Sequence, residues 1–214
     1  MEYNENNSPT HTRTSPSSPQ PRETVPLRAP TNQSFLKEIV KFSIIAALIV
    51  IPVRLFVAQP FIVSGASMEP TFKTGQYLIV DQLSYSFEPP LRGDVIIFRY
   101  PRDPSKFFIK RVIGLPGETV QLRGKDVVIE NKEHPSGFIL DESYLEEENK
   151  VSANTTIELK DTEYFVMGDN RRESSDSRIW GPLSEEYLVG RAFLRLFPIT
   201  GNIILPGKIE QTYE

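Results

Sequence analysis

The 214-residue chain contains no cysteine, which excludes disulfides, thiolate zinc sites and a cysteine nucleophile. It does not exclude a location outside the cytoplasm. Histidine is almost as scarce. His11 and His134 are the whole supply, too few for a histidine-built metal site. With a net charge of −4 the chain lacks the basic excess that marks nucleic-acid binding, so no nucleic-acid partner is expected. No internal repeat is present, and only one strongly apolar run. What remains is a 39% hydrophobic content, enough for a real core in one or two domains.

A few residues beyond the apolar run lies Ser64-Gly65-Ala66-Ser67-Met68-Glu69-Pro70-Thr71-Phe72. Gly65 permits backbone angles closed to other residues and Pro70 fixes its own φ, so the segment reads as a shaped turn presenting the Ser67 hydroxyl. A serine in such a turn serves either as a local hydrogen-bonding cap or as an acyl-transfer nucleophile with backbone N–H groups nearby. The rest of the chain has to decide between them.

Residues 1–33 are rich in Ser, Thr, Pro and Asn and poor in apolar groups, and read as a disordered tail. The polar lead is too long for a cleavable signal peptide. Residues 34–58 hold the apolar run. From Ile39 to Ala58 it reaches the roughly 20 residues needed to cross a bilayer, provided Lys41 and Arg54 extend toward the headgroups. Pro52 lies near its far end. Arg28, Lys37 and Lys41 before the run, against Arg54 and Lys73 after it, place the tail in the cytoplasm and residues 59–214 outside. A buried or amphipathic surface helix is the alternative.

Past residue 58 the pattern becomes short apolar runs with period two. Strands are expected at 77–80, 94–100, 107–113, 119–122, 127–130, 163–167 and 192–197, with residues 123–126 as a hairpin turn. This predicts a mainly β, antiparallel domain with no long helix. The segment 131–160 is acidic and turn-rich and reads as carrying no chemistry, within a small β-rich insertion (about 119–163).

A serine nucleophile needs a base. His134 sits in the polar turn Glu133-His134-Pro135-Ser136-Gly137, where a surface histidine is the ordinary expectation. The other available base is a lysine kept neutral by burial, since removal from water lowers its pKa from about 10.4. Lys110 lies in the apolar strand Phe107-Phe-Ile-Lys-Arg-Val-Ile-Gly114. Period two places Lys110 with Phe108 and Val112, and Arg111 with Ile109 and Ile113. Both faces are apolar, so only chemistry separates the two cations: arginine cannot surrender its proton. A third group, Gly168-Asp169-Asn170-Arg171-Arg172-Glu173-Ser174-Ser175-Asp176-Ser177-Arg178, has the composition of a loop that hydrogen-bonds itself into one shape.

In order, the apolar run, Ser67-Met68-Glu69-Pro70-Thr71, Arg92-Gly93-Asp94-Val95-Ile96, Lys110 through Glu118, and Gly168-Asp169-Asn170 with Ser174-Ser175-Asp176-Ser177-Arg178 resemble the type I signal peptidase family from about residue 35 to 197. The resemblance implies a membrane-anchored Ser/Lys-dyad endopeptidase that removes signal peptides from exported preproteins on the outer side of a plasma or thylakoid membrane. It implies Ser67 as nucleophile, Lys110 as general base, Ser174 as the hydroxyl bonded to the lysine, and Asp169, Asp176 and Arg178 as bracing residues. It further implies Val63, Met68, Phe72 and Ile109 as lining of the apolar substrate pockets, with cleavage after Ala-X-Ala-type sites. The oxyanion position falls on the Ser67 N–H and on Gly65, which stands where some members carry serine, so the second donor is left open. No metal or cofactor is called for. The partners implied are signal peptides and membrane lipid. Two rivals remain: a catalytically silent, membrane-tethered module that binds exported chains, and another Ser/Lys protease of related fold.

Overall fold

In the computed structural model the described residues are 32–52, 58–199 and 201–209. The expected tail up to residue 31 and residues 53–57 of the expected anchor lie outside them. Helix α1 (Asn32–Pro52) carries the apolar run, and its side chains from Phe35 to Pro52 are exposed. Among the described residues no helix is long and apolar enough to cross a membrane. The reason lies in Lys37, Glu38 and Lys41. The uncharged part, Phe42 to Pro52, extends about 16 Å at 1.5 Å per residue, roughly half of a hydrocarbon core.

The remaining elements are β1 (Ala58–Ile62), β2 (Tyr77–Asp81), β3 (Val95–Tyr100), β4 (Asp103–Gly114), β5 (Thr119–Gly124), β6 (Asp126–Glu130), β7 (Phe138–Ile139), β8 (Ala153–Glu158), β9 (Glu163–Met167), helix α2 (Ser177–Trp180), β10 (Leu183–Ser184) and β11 (Leu188–Phe197). All named strand pairs are antiparallel, as expected for a mainly β fold. Every expected strand is present within a few residues. The short edge strands β1, β7 and β10, and β8 within the segment read as turn-rich, were not foreseen. β1 contains Gln59 and Pro60, and β8 reads Ala-Asn-Thr-Thr-Ile-Glu. Neither shows the apolar alternation that pattern reading depends on.

Two sheets form. The larger runs β1-β2-β11-β3-β4-β9-β10 and the smaller β7-β6-β5-β8. Along β3 the two faces serve different cores. Val95 and Ile97 pack with Val63, Met68, Phe72, Leu78 and Val80, whereas Ile96 and Phe98 pack with Val112, Tyr164, Val166 and Leu183. A strand apolar on both faces is therefore buried on both. The smaller sheet closes a third core, in which Val120, Leu122, Val127 and Ile129 meet Ile113, Phe165 and Met167 of β4 and β9.

Two of the sequence motifs prove to be partners of each other. Arg92 Nη2 donates to both carboxylate oxygens of Glu118, at 2.6 and 2.7 Å, and both side chains are buried. Glu118 also accepts from the Leu115 N–H at 2.8 Å and from Asn131 Nδ2 at 2.9 Å, so it joins the approach to β3, the β4–β5 turn and the smaller sheet. Removing one member of such a pair strands the other charge in a low dielectric. Glu118→Ala is therefore expected to lower stability by about 3–5 kcal/mol, and Arg92→Met/Glu118→Leu to recover most of it; denaturant titration of the two variants measures both.

Candidate active site

The turn that carries Ser67 is held from below by its apolar residues. Met68 and Phe72 are fully buried in the core beneath the larger sheet, with Arg195 stacked on the Phe72 ring at 5.1 Å. The Phe72 N–H returns to the Met68 carbonyl at 2.8 Å, and Arg195 Nη2 donates to the Thr71 carbonyl at 2.8 Å. Gly65, at φ +97°, supplies the backbone angle that L side chains avoid, and its N–H donates to Thr74 Oγ1 at 3.1 Å. That bond occupies the one donor Gly65 has.

Lys110 Nζ lies 2.7 Å from Ser67 Oγ and donates to the Ile109 carbonyl at 2.9 Å. Residue 110 is 3% exposed, and its ammonium position lies 5.2 Å from the Phe108 ring centroid. Desolvation pushes the lysine down to about 8, against the upward pull of Asp176 and Asp169, with Arg178 adding a smaller downward push. An amine that titrates there supplies a neutral base near physiological pH. With Lys110 neutral, the 2.7 Å contact has the Ser67 hydroxyl donating to the nitrogen lone pair.

The loop 168–178 packs against both groups. A Cβ on Gly168 would fall on Ser174 Oγ and on the Ser67 carbonyl oxygen, so only glycine lets the loop come this close. The Asn170 N–H donates to the Ser67 carbonyl at 3.0 Å. Asp176 caps α2 and is clasped by Arg178, Nε to Oδ1 and Nη2 to Oδ2 both at 2.8 Å, while its Oδ2 accepts the Gly168 N–H at 3.1 Å. Asp169 accepts from Arg111 Nε at 2.8 Å and from Thr71 Oγ1 at 2.6 Å. Arg111 thus ties the loop to the serine turn from the face opposite Lys110. Pattern could not have found this pairing, because Arg111 and Asp169 are 58 positions apart.

Ser174 is buried beside the site, yet its hydroxyl has no hydrogen-bond partner among the described residues; the lysine bonds Ser67 and the Ile109 carbonyl instead. Met68 and Phe72 lie in the core and do not line the open groove. That groove, about 450 Å³, is walled by Val63 and Ile109 together with Phe61, Ala66, Leu78 and Ile97, and opens onto Ser67 and Lys110. His134 meets the Phe138 ring edge to face in a separate cavity with Arg92, Glu118 and Asp161, away from Ser67. Among the described residues no group of three or more His, Asp or Glu side chains is placed to hold a metal ion.

The groove runs between two strand edges. β1 is the terminal strand of its sheet. In β4, only Arg111 to Gly114 pair with β9, leaving the outer edge of residues 103–110 open. Phe61 and Phe107 meet edge to face at 5.1 Å across it.

The family model described as signal peptidase, peptidase S26, matches residues 36–197. The probable signal peptidase I-1 of Synechocystis sp. is 36% identical over 79% of this chain and 86% of its own length. Signal peptidase I of Leptolyngbya laminosa is 36% identical over 79% and 84%. Signal peptidase I V of Bacillus subtilis is 35% identical over 69% and 90%. The chain belongs to the peptidase S26 family of signal peptidases, serine endopeptidases that remove signal peptides from preproteins.

Proposed function

We propose that Ser67 is the nucleophile and Lys110 the general base in this cleavage. The observation that carries the reading is the 2.7 Å contact between Lys110 Nζ and Ser67 Oγ inside a desolvated pocket. Ser67 Oγ attacks the carbonyl carbon of the residue before the cut as its proton passes to Lys110 Nζ. The lysine returns that proton to the leaving amine, which departs as the new N-terminus of the mature chain. Neutral again, Lys110 takes a proton from water, the hydroxide adds to the acyl-enzyme, and collapse frees the signal peptide as Lys110 returns the proton to Ser67 Oγ. The Ser67 N–H is the oxyanion donor we favour. Ser174, Asp169, Asp176 and Arg178 hold the pocket in shape.

An extended substrate lies in the groove by adding to the open edges of β1 and β4 through main-chain hydrogen bonds. Apolar walls at Phe61, Val63, Ile97 and Ile109 favour small apolar side chains before the cut, in support of Ala-X-Ala-type sites. The silent-module rival is disfavoured because a binding role alone has no use for a buried lysine against a serine hydroxyl, whose burial costs stability.

For location, we infer that α1 is the membrane anchor. Phe42, Ile44, Ile45, Leu48, Ile49, Val50 and Ile51 are all exposed, and lipid is the cover that their chemistry fits. Lys37 and Lys41 then lie at the cytoplasmic headgroups and the catalytic domain outside. The 1–33 tail, 34–58 anchor and 59–214 catalytic domain are proposed on this basis. Protease added to intact cells is expected to digest the catalytic domain and spare the tail.

Ser67→Ala and Lys110→Arg are expected to abolish cleavage of a preprotein while both variants stay folded; arginine keeps the charge and removes the base. Wild-type turnover by Ser67→Ala would end the nucleophile assignment. The active lysine is the neutral one, so kcat should rise with pH through about 8 and level off above it. A profile still climbing beyond the range of an ordinary lysine, about 10.4, would contradict desolvation as the controlling term.

A further inference from the structure

The segment 140–146, between β7 and β8, lies in the insertion read from sequence as free of chemistry, yet it reaches the loop behind the dyad. Glu142 is 6% exposed and pairs with Arg171, which is 5% exposed: Arg171 Nη1 donates to Glu142 Oε2 at 3.2 Å and Nη2 to Oε1. Tyr144 is inserted beside them. The Arg111 guanidinium stacks on its ring at 4.5 Å, and its hydroxyl lies 3.4 Å from Arg171 Nη2.

Arg171 reaches inward as well. Its Nε donates to the Gly168 carbonyl at 3.1 Å, and its own carbonyl accepts from Arg178 Nη2 at 2.8 Å. Gly168 is therefore held on both sides, its N–H by Asp176 and its carbonyl by Arg171. This is the residue at which the loop meets the Ser67 backbone.

Around Tyr144 there are thus two buried guanidiniums and two buried carboxylates, sorted as Arg111 with Asp169 and Arg171 with Glu142. The sorting matters because both pairs lie against the one Tyr144 side chain, with Arg111 on its ring and Arg171 at its hydroxyl. Without Glu142, Arg171 is a buried cation without its ion pair, two positions along the loop from Asp169, the group that holds Thr71 in the serine turn.

We propose that Glu142, supported by Tyr144, is a positioning residue of the protease: by engaging Arg171 it leaves Asp169 to Arg111 and Thr71 and sets the loop against Ser67. The role rests on the Ser67–Lys110 reading. The insertion is then part of the catalytic framework, acting through the 168–178 loop.

The test measures kcat, KM and the pH profile of kcat for the detergent-solubilised full chain on a preprotein, with circular dichroism as the check on folding. The wild type is compared with Ser67→Ala, Glu142→Gln and Glu142→Gln/Arg171→Gln. Glu142→Gln is expected to lower kcat roughly 10- to 100-fold with little change in KM, the scale of a misplaced catalytic group. Its pH limb should move to lower pH. Lys110 faces Asp176, Asp169 and Arg178, and drawing Asp169 toward Arg171 removes part of the attraction that holds the proton on the amine. The double variant, with no stranded cation, should return the limb to its wild-type position and turn over faster than the single one.

A folded Glu142→Gln with wild-type kcat and limb overturns the proposal. So do single and double variants that are equally slow with an unmoved limb, which would mean packing alone. If the single variant fails to fold, a double variant that folds and cleaves supports the charge sorting; one that is unfolded or inactive overturns it. Ser67→Ala separates the two readings. Should it cleave like the wild type, the dyad fails; should it be dead while Glu142→Gln is unchanged, the positioning role alone fails.

Discussion

Everything at this site follows from keeping an amine out of water next to a serine hydroxyl. A solvated Lys110 would be an ammonium, with no lone pair for a proton. Burial alone would lower its pKa further, yet Asp176 and Asp169 pull back, and the balance falls at about 8. Those carboxylates cannot be left unpaired at such depth, so each has its own arginine: Arg178 on Asp176 and Arg111 on Asp169. Burying one lysine thus brings two carboxylates and two guanidiniums in with it.

Holding that arrangement takes elements from far along the chain. β4 presents Lys110 on one face and Arg111 on the other, both nearly inaccessible. The serine turn rests on Met68 and Phe72, whose burial is scaffolding and leaves the groove wall to Val63, Ile109 and their neighbours. The 168–178 loop closes over both, and its approach is limited by the missing side chain at Gly168. Rigid apolar packing below and a self-bonded polar loop above hold Ser67 and Lys110 in place.

The same architecture accounts for an open groove between two strand edges. Exposed edges are usually blunted because they recruit other strands. Here β1 and the outer part of β4 remain open beside the dyad. Lys106, paired with Asp103 at 2.9 Å, puts charge at the rim of that opening.

By itself the sequence determined the mainly β class, nearly all the long strands, and the candidates Ser67 and Lys110. Each of these rests on local signals: period-two apolarity, Gly and Pro in turns, and the inability of arginine to act as a base. Tertiary structure decided what depends on distance in space. It placed Lys110 against Ser67 and His134 in a separate cavity. It paired Arg92 with Glu118, Arg111 with Asp169 and Arg171 with Glu142, partners 26, 58 and 29 positions apart. It also moved Met68 and Phe72 from groove to core and left Ser174 unbonded to the lysine. A charge in a sequence carries no sign of what will neutralise it, because the need arises only when folding removes the water.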